Sequence, residues 1–121
     1  MMKDGVKIIT NVIDQEKIEE LFEAIVTDFE EWCGRANIRE DRVIEFQDGL
    51  IAEEGRKYIK VIKTDGNQNT VWGFIVNVED DKKFKYGDIL MAAGYNAPAR
   101  NKARGNLFTG YSIQWTGPRY L

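Results

Sequence analysis

The stretch Thr70-Val71-Trp72-Gly73-Phe74-Ile75-Val76-Asn77-Val78 decides how this chain folds. In a strand, successive side chains point to opposite faces. Val71, Trp72, Phe74, Ile75, Val76 and Val78 fall on both, so a strand here buries both its faces and lies centrally in a sheet. Such a strand needs a neighbour on each side and a layer over each face. The sequence around it is read by asking what supplies them.

Short β-prone runs surround it, separated by turn residues. Upstream, Lys57–Lys63 reads as a strand with one polar face, and Asp65-Gly66-Asn67-Gln68-Asn69 as the loop that follows. Leu50–Ala52 is a short strand between the turns Gln47-Asp48-Gly49 and Glu53-Glu54-Gly55, and the alternation of Val43–Phe46 predicts another. Downstream, Glu79-Asp80-Asp81-Lys82-Lys83 is a charged hairpin loop. Phe84–Tyr86 and Ile89–Ala93 read as one strand broken by Gly87, and Tyr111–Trp115 as the last strand. The layer over the sheet comes from Asp14 to Cys33. There Ile18, Leu21, Phe22, Ile25, Val26, Phe29, Trp32 and Cys33 recur at steps of three and four, the signature of a helix with one apolar face. Asp14 serves as N-cap and Gly34 as the stop. Val6–Thr10 is a candidate edge strand. Glu16, Glu19, Glu20, Glu23, Asp28, Glu30 and Glu31 form a solvated acidic face, and Cys33 on the apolar stripe is a core residue. The fold class is α+β: one domain over residues 1–121, with an N-terminal amphipathic helix packed on a mostly antiparallel sheet.

Composition narrows the function. The 121 residues are 43% hydrophobic and 31% charged, with no histidine and a single cysteine. That excludes imidazole zinc sites, Ser-His-Asp and Cys-His catalysis and a disulfide framework. No apolar run approaches the roughly 18 residues of a membrane span, and the first residues lack the apolar core of a secretory signal, so a soluble intracellular protein is expected. The net charge of −3 hides an asymmetry. Residues 1–81 hold ten Lys/Arg against nineteen Asp/Glu, for −9, and residues 82–121 hold seven Lys/Arg against Asp88 alone, for +6. Half of the fourteen aromatics lie in that basic last third. Positive charge attracts phosphate and aromatic faces stack on bases, so an anionic, base-containing ligand suits this segment. The acidic remainder repels a long polyanion, which favours a small phosphorylated ligand over a nucleic acid. A second copy of the chain would deepen a pocket for it.

The segment from Gly94 to Asn106 is turn-rich and carries three cations, Arg100, Lys102 and Arg104. Long loops inside compact domains are commonly functional. Arg100 and Arg104 are four apart, so one helical turn would set both guanidinium forks toward the same oxyanions. The segment is neither a P-loop nor a dinucleotide fingerprint. Asp88 is expected to pair with one of these arginines. No nucleophile–base–orienter set and no acidic metal cluster is visible, so a binder rather than an enzyme is expected, with no cofactor and no metal.

The run Gly94-Tyr95-Asn96-Ala97-Pro98-Ala99-Arg100, then Lys102-Ala103-Arg104-Gly105-Asn106, and the tail Gly110-Tyr111-Ser112-Ile113-Gln114-Trp115-Thr116-Gly117-Pro118-Arg119-Tyr120 resemble the first family of phage Thoeris anti-defence proteins. The helix carrying Ile18-Glu19-Glu20-Leu21-Phe22 and the overall length are similar too. The resemblance implies a sponge in the cytoplasm of an infected bacterial cell. Such a sponge sequesters, intact, the glycosyl-linked cyclic ADP-ribose isomer that TIR-domain enzymes make, and so blocks Thoeris immunity. It also implies dimers with pockets at the subunit interface, in some cases hexamers, and in some cases a second site for cyclic oligonucleotides. Carried onto this sequence, it makes Asn96, Arg100 and Arg104 the polar contacts. Phe84, Tyr86 and Tyr95 become candidate stackers, and Arg119 is a residue reaching across the interface. Two other classes stay open: a nucleotide phosphodiesterase that cleaves the same signal, and a protein whose acidic helix blocks a host DNA-binding factor.

Overall fold

The computed structural model describes residues 15–65 and 68–118. The candidate edge strand Val6–Thr10, the cap Asp14 and Arg119 lie outside the described residues. Helix α1 (Gln15–Ala36) buries Ile18, Leu21, Phe22, Ile25, Phe29 and Cys33 of the stripe its periodicity predicts, while Val26 is half-buried and Trp32 exposed. It runs past Gly34. Its stop is Asn37, at φ 58°, with Asn37 N–H donating to Gly34 O at 3.3 Å and Ile38 N–H to Cys33 O at 2.8 Å. Those two bonds form a Schellman motif with asparagine in the left-handed position. Ile38 then folds back on the cluster of Phe29, Cys33 and Val43.

The expected strand at Val43–Phe46 is instead helix α2 (Glu40–Asp48). Val43 and Phe46 are three apart, which sets them on one face of a helix but on opposite faces of a strand. Burial decides it: Val43 and Phe46 pack on the end of α1, with Phe46 stacked on Phe29 at 4.2 Å, while Ile44 stays 58% exposed.

Four antiparallel strands form the sheet in the order β1 (Leu50–Glu54), β2 (Tyr58–Asp65), β3 (Gln68–Val76), β4 (Ile89–Leu90). β3 is interior, as its sequence requires. The β2–β3 hairpin is tighter than expected, since Asp65 pairs with Gln68 and only residues 66–67 lie between the strands. A bulge in this hairpin, where Val61 pairs with Gly73 but Ile62 with Val71, turns Trp72 toward the helix side. Trp72, Leu50, Ala52, Ile59, Val61, Ile75 and Ile89 make one core with α1. Phe74, Val76, Leu90 and Phe84 make a smaller core on the opposite face.

The last third does not form the two long strands expected of it. Phe84–Tyr86 is irregular, Ile89–Ala93 divides between β4 of the main sheet and β5 (Ala92–Gly94), and the rest forms three two-stranded ribbons: β5 with β6 (Ala97–Pro98), β7 (Gly105–Asn106) with β8 (Gly110–Tyr111), and β9 (Ile113–Gln114) with β10 (Gly117–Pro118). These wrap the main sheet and are tied to it by side chains. Trp72 Nε1–H donates to Gln114 O at 2.8 Å, and Trp115 N–H donates to the Asp28 carboxylate at 2.8 Å. None of the described helices is long and apolar enough to cross a membrane.

Gly49 joins α2 to β1, and its carbonyl accepts from Thr64 N–H at 2.9 Å. A Cβ here would stand 2.3 Å from the Thr64 carbonyl oxygen, a backbone atom with no rotamer to give way. Gly49→Ala is therefore expected to cost about 1–3 kcal/mol or more, the range for forced overpacking. Urea unfolding checks this through a lower midpoint at unchanged slope.

Candidate functional site

The residues singled out in the sequence are distributed over three environments. The first is an ion-pair cluster on the sheet face turned away from α1. Asp81, its side chain 1% exposed, accepts two bonds from the Arg100 guanidinium, at 3.0 and 2.9 Å. It also accepts from the backbone N–H of Lys83 and Phe84, at 2.8 and 2.9 Å, and Lys57 Nζ stands 3.7 Å away. The second Arg100 contact is the Tyr58 hydroxyl, and its Cζ lies 4.9 Å from the centre of the Phe84 ring. Lys83 Nζ donates to the Arg100 carbonyl at 2.6 Å. Arg100 is thus occupied in clipping the segment after β6 to the loop after β3. Asp81 is held well below the usual carboxylate range, first by Arg100 and then by the Lys83 and Phe84 amides. Phe84 is 6% exposed and fills the smaller core, so it offers no face to a ligand.

The second environment surrounds Asn106, which is 9% exposed. Its Nδ2 donates to Tyr86 O and Asp88 Oδ1, both at 2.9 Å, while its Oδ1 accepts from Phe108 N–H at 2.7 Å. Asp88 also accepts from Lys85 N–H at 2.9 Å. The partner of Asp88 is therefore an asparagine, and the carboxylate that pairs with Arg100 is Asp81. Tyr86 stacks on Phe108 at 5.5 Å and is half-buried. Arg104, 6% exposed, donates through Nε to Lys102 O at 3.1 Å and through Nη2 to Asn101 Oδ1 at 3.3 Å. No helical turn forms between residues 100 and 104, so the two arginines do not converge on one anion. The backbone there is irregular and anchored at its two ends, where Ala99 N–H bonds Met91 O and Arg104 N–H bonds Ile89 O, both at 2.7 Å.

The third environment does bring predicted residues together. At the turn between β5 and β6, Tyr95 is 46% exposed, and Lys60 Nζ lies 4.2 Å from the centre of its ring. The same ammonium donates to Asn96 Oδ1 at 3.0 Å and faces Glu53, its cross-strand partner, at 3.9 Å. Tyr58 and Lys60 are two apart on β2 and share a face, so this site continues the Asp81–Arg100 cluster. Together they give a face on which Lys57, Lys60, Lys83 and Arg100 outnumber Glu53 and Asp81. Four of the cation–ring contacts lie along it. Sequence reading missed Lys60, because its signal depends on pairing across β1 and β2. It also missed Asp81, although an aspartate two and three residues before the amides it binds is a local pattern. Among the described residues, no group of three carboxylate or thiolate side chains is placed to hold a metal ion.

An α+β domain whose second sheet face is basic and studded with aromatic rings is the class these observations define. The chain belongs to DUF7717, a family of unknown function, whose model matches residues 3–119. No curated protein and no solved structure matches it.

The Asp81 pair makes a signed prediction. A folded-state pKa below the unfolded one contributes stability that is fully present above the ordinary aspartate value, about 3.9, and is lost as pH falls through the folded value. Asp81→Asn is expected to lower the melting temperature by a constant amount at neutral pH. That gap should narrow below about pH 4. Thermal melts from pH 7 to pH 2.5 check it; a gap independent of pH would mean the carboxylate is not held by Arg100.

Proposed function

We propose that this protein binds a small anionic nucleotide and holds it intact, acting by sequestration rather than catalysis. The observation that carries the reading is the Tyr95 ring, open on a basic face, with an ammonium 4.2 Å from its centre and an amide beside it. A base stacks on the tyrosine, and the lysines along the face meet its phosphates. Arg100 serves here as a positioning residue. It fixes the segment that follows the Tyr95 turn and leaves phosphate contact to Lys57, Lys60 and Lys83. The face is shallow in one chain, and a second copy laid against it supplies the missing wall. The ligand proposed is the glycosyl-linked cyclic ADP-ribose isomer implied by the resemblance of residues 94–120 to Thoeris anti-defence proteins, bound in the bacterial cytoplasm.

The test is capture and release. Protein incubated with cyclic ADP-ribose isomers is freed of unbound ligand and heat-denatured, and the supernatant is analysed by mass spectrometry. Intact ligand near one per subunit is expected. A cleaved product would transfer the reading to the phosphodiesterase class, and no retained nucleotide would overturn it. Stacking is worth roughly 1–3 kcal/mol per base, so Tyr95→Ala should weaken binding roughly 5- to 140-fold. Its thermal melt should be unchanged, because the ring is exposed. An unaltered affinity in that variant and in Lys60→Met removes the site.

A further inference from the structure

On the α1 side of the sheet, the end of α1, helix α2 and the far end of the β2–β3 hairpin enclose an open groove of about 980 Å³. Small-molecule sites run from about 300 to 1,000 Å³ and bury most of their ligand among mainly apolar walls. This groove is open, and its floor and walls differ in chemistry. The floor is aromatic. Trp32 and Trp115 lie 5.2 Å apart, tilted by 46°, and Trp115 is fixed by edge contacts to Phe29 at 4.9 Å and Phe46 at 5.9 Å. Trp32, 37% exposed, keeps a broad indole surface open to solvent on an otherwise charged stretch of helix.

The walls are polar, and strand pairing places one of them. Thr70 stands opposite Lys63 in the β2–β3 register, and Gln68 is two residues from Thr70, so all three share one face of the hairpin. It is the face of Trp115, because Lys63 Nζ lies 5.4 Å from the centre of that ring. Gln68 and Thr70 are exposed, as is Asp48 on the α2 wall. An amide, a hydroxyl and a carboxylate thus rim the indoles, with donors and acceptors side by side. Charges of both signs line the groove, Arg42 and Glu45 standing 3.6 Å apart, so it does not select an anion as the basic face does.

A pyranose matches this division. One face of the sugar ring is a patch of C–H bonds that packs on an indole, and its rim is a row of hydroxyls, each both donor and acceptor. A wholly apolar molecule would strip water from the polar walls and give nothing back, a cost that sugar hydroxyls avoid. A chain of sugars also runs through an open groove with its outer hydroxyls still in water. We infer that this groove is a carbohydrate site. It takes a neutral oligosaccharide, one pyranose stacked on Trp32 and its hydroxyls on Gln68, Thr70 and Asp48. The site shares no residue with the Tyr95 face, so either reading can fail without the other.

The probes are three neutral hexasaccharides, cellohexaose, maltohexaose and N-acetylchitohexaose, with hexagalacturonate as the charged control, each titrated into the full chain by calorimetry. At least one neutral sugar is expected to bind with a dissociation constant of about 1 mM or tighter, and more tightly than hexagalacturonate. Trp32→Ala should weaken that binding about tenfold. Gln68→Leu combined with Thr70→Val, both at exposed strand positions, should weaken it as well without lowering the melting temperature, whereas binding by apolar burial alone would be kept or tightened. Tyr95→Ala should leave it unchanged. No binding of any neutral hexasaccharide would overturn the inference. So would tighter binding of hexagalacturonate, loss of binding in Tyr95→Ala, or a sugar affinity indifferent to Trp32→Ala or to the double variant.

Discussion

Everything in this molecule follows from burying β3 on both faces. One face is simple to cover: α1 lays its apolar stripe over Ile59, Val61, Trp72 and Ile75. A single long helix cannot cover the other, and the chain has no second one of that length among its described residues. The cover comes instead from irregular backbone, the loop after β3 and the segments around β5 and β6, which bury Phe84 against Phe74, Val76 and Leu90. Irregular backbone lacks the ladder of bonds that holds a helix, so it must be fastened by side chains. The Asp81–Arg100 pair is such a fastener, and the Asn106 cluster does the same for the irregular backbone on the α1 side, around Tyr86 and Leu107.

This division of labour changes the meaning of the basic last third. Its cations are not one pool aimed at a ligand. Arg100 and Arg104 are spent on holding their own segment, by a carboxylate in one case and by a carbonyl and an amide in the other. Lys57, from the acidic part of the chain, stays at the surface, whereas Lys60 is largely covered beneath the Tyr95 turn. Arginine, with its planar fork, suits fixed buried geometry, whereas lysine suits an adaptable surface charge.

How far the sequence could be read depended on the range of the interaction involved. The α1 stripe and the interior position of β3 are local patterns of hydrophobicity, and both were legible. Val43–Phe46 was misread because four residues are too few to separate the two periodicities, and Phe29 of α1, on which Phe46 stacks, selects the helical one. The Tyr95 turn was found by composition, but Lys60 reaches it from 36 residues away and leaves no local trace. The arginine pair was misread for a related reason. Spacing of four speaks of convergence only if the backbone is helical, and here it is irregular, bonded to Met91 at one end and to Ile89 at the other.

The bond from Trp115 to Asp28 spans 87 residues. The end of α1, with Phe29 and Trp32, thus has its aromatic neighbours completed by a part of the chain made long after the helix itself. Contacts of such separation form late, because the intervening chain must be ordered first. During synthesis α2 reaches Phe29 soon after the helix is made, but Trp32 waits for its Trp115 neighbour until almost the whole chain is out, and it is this ring that a chaperone or a misfolding partner would meet.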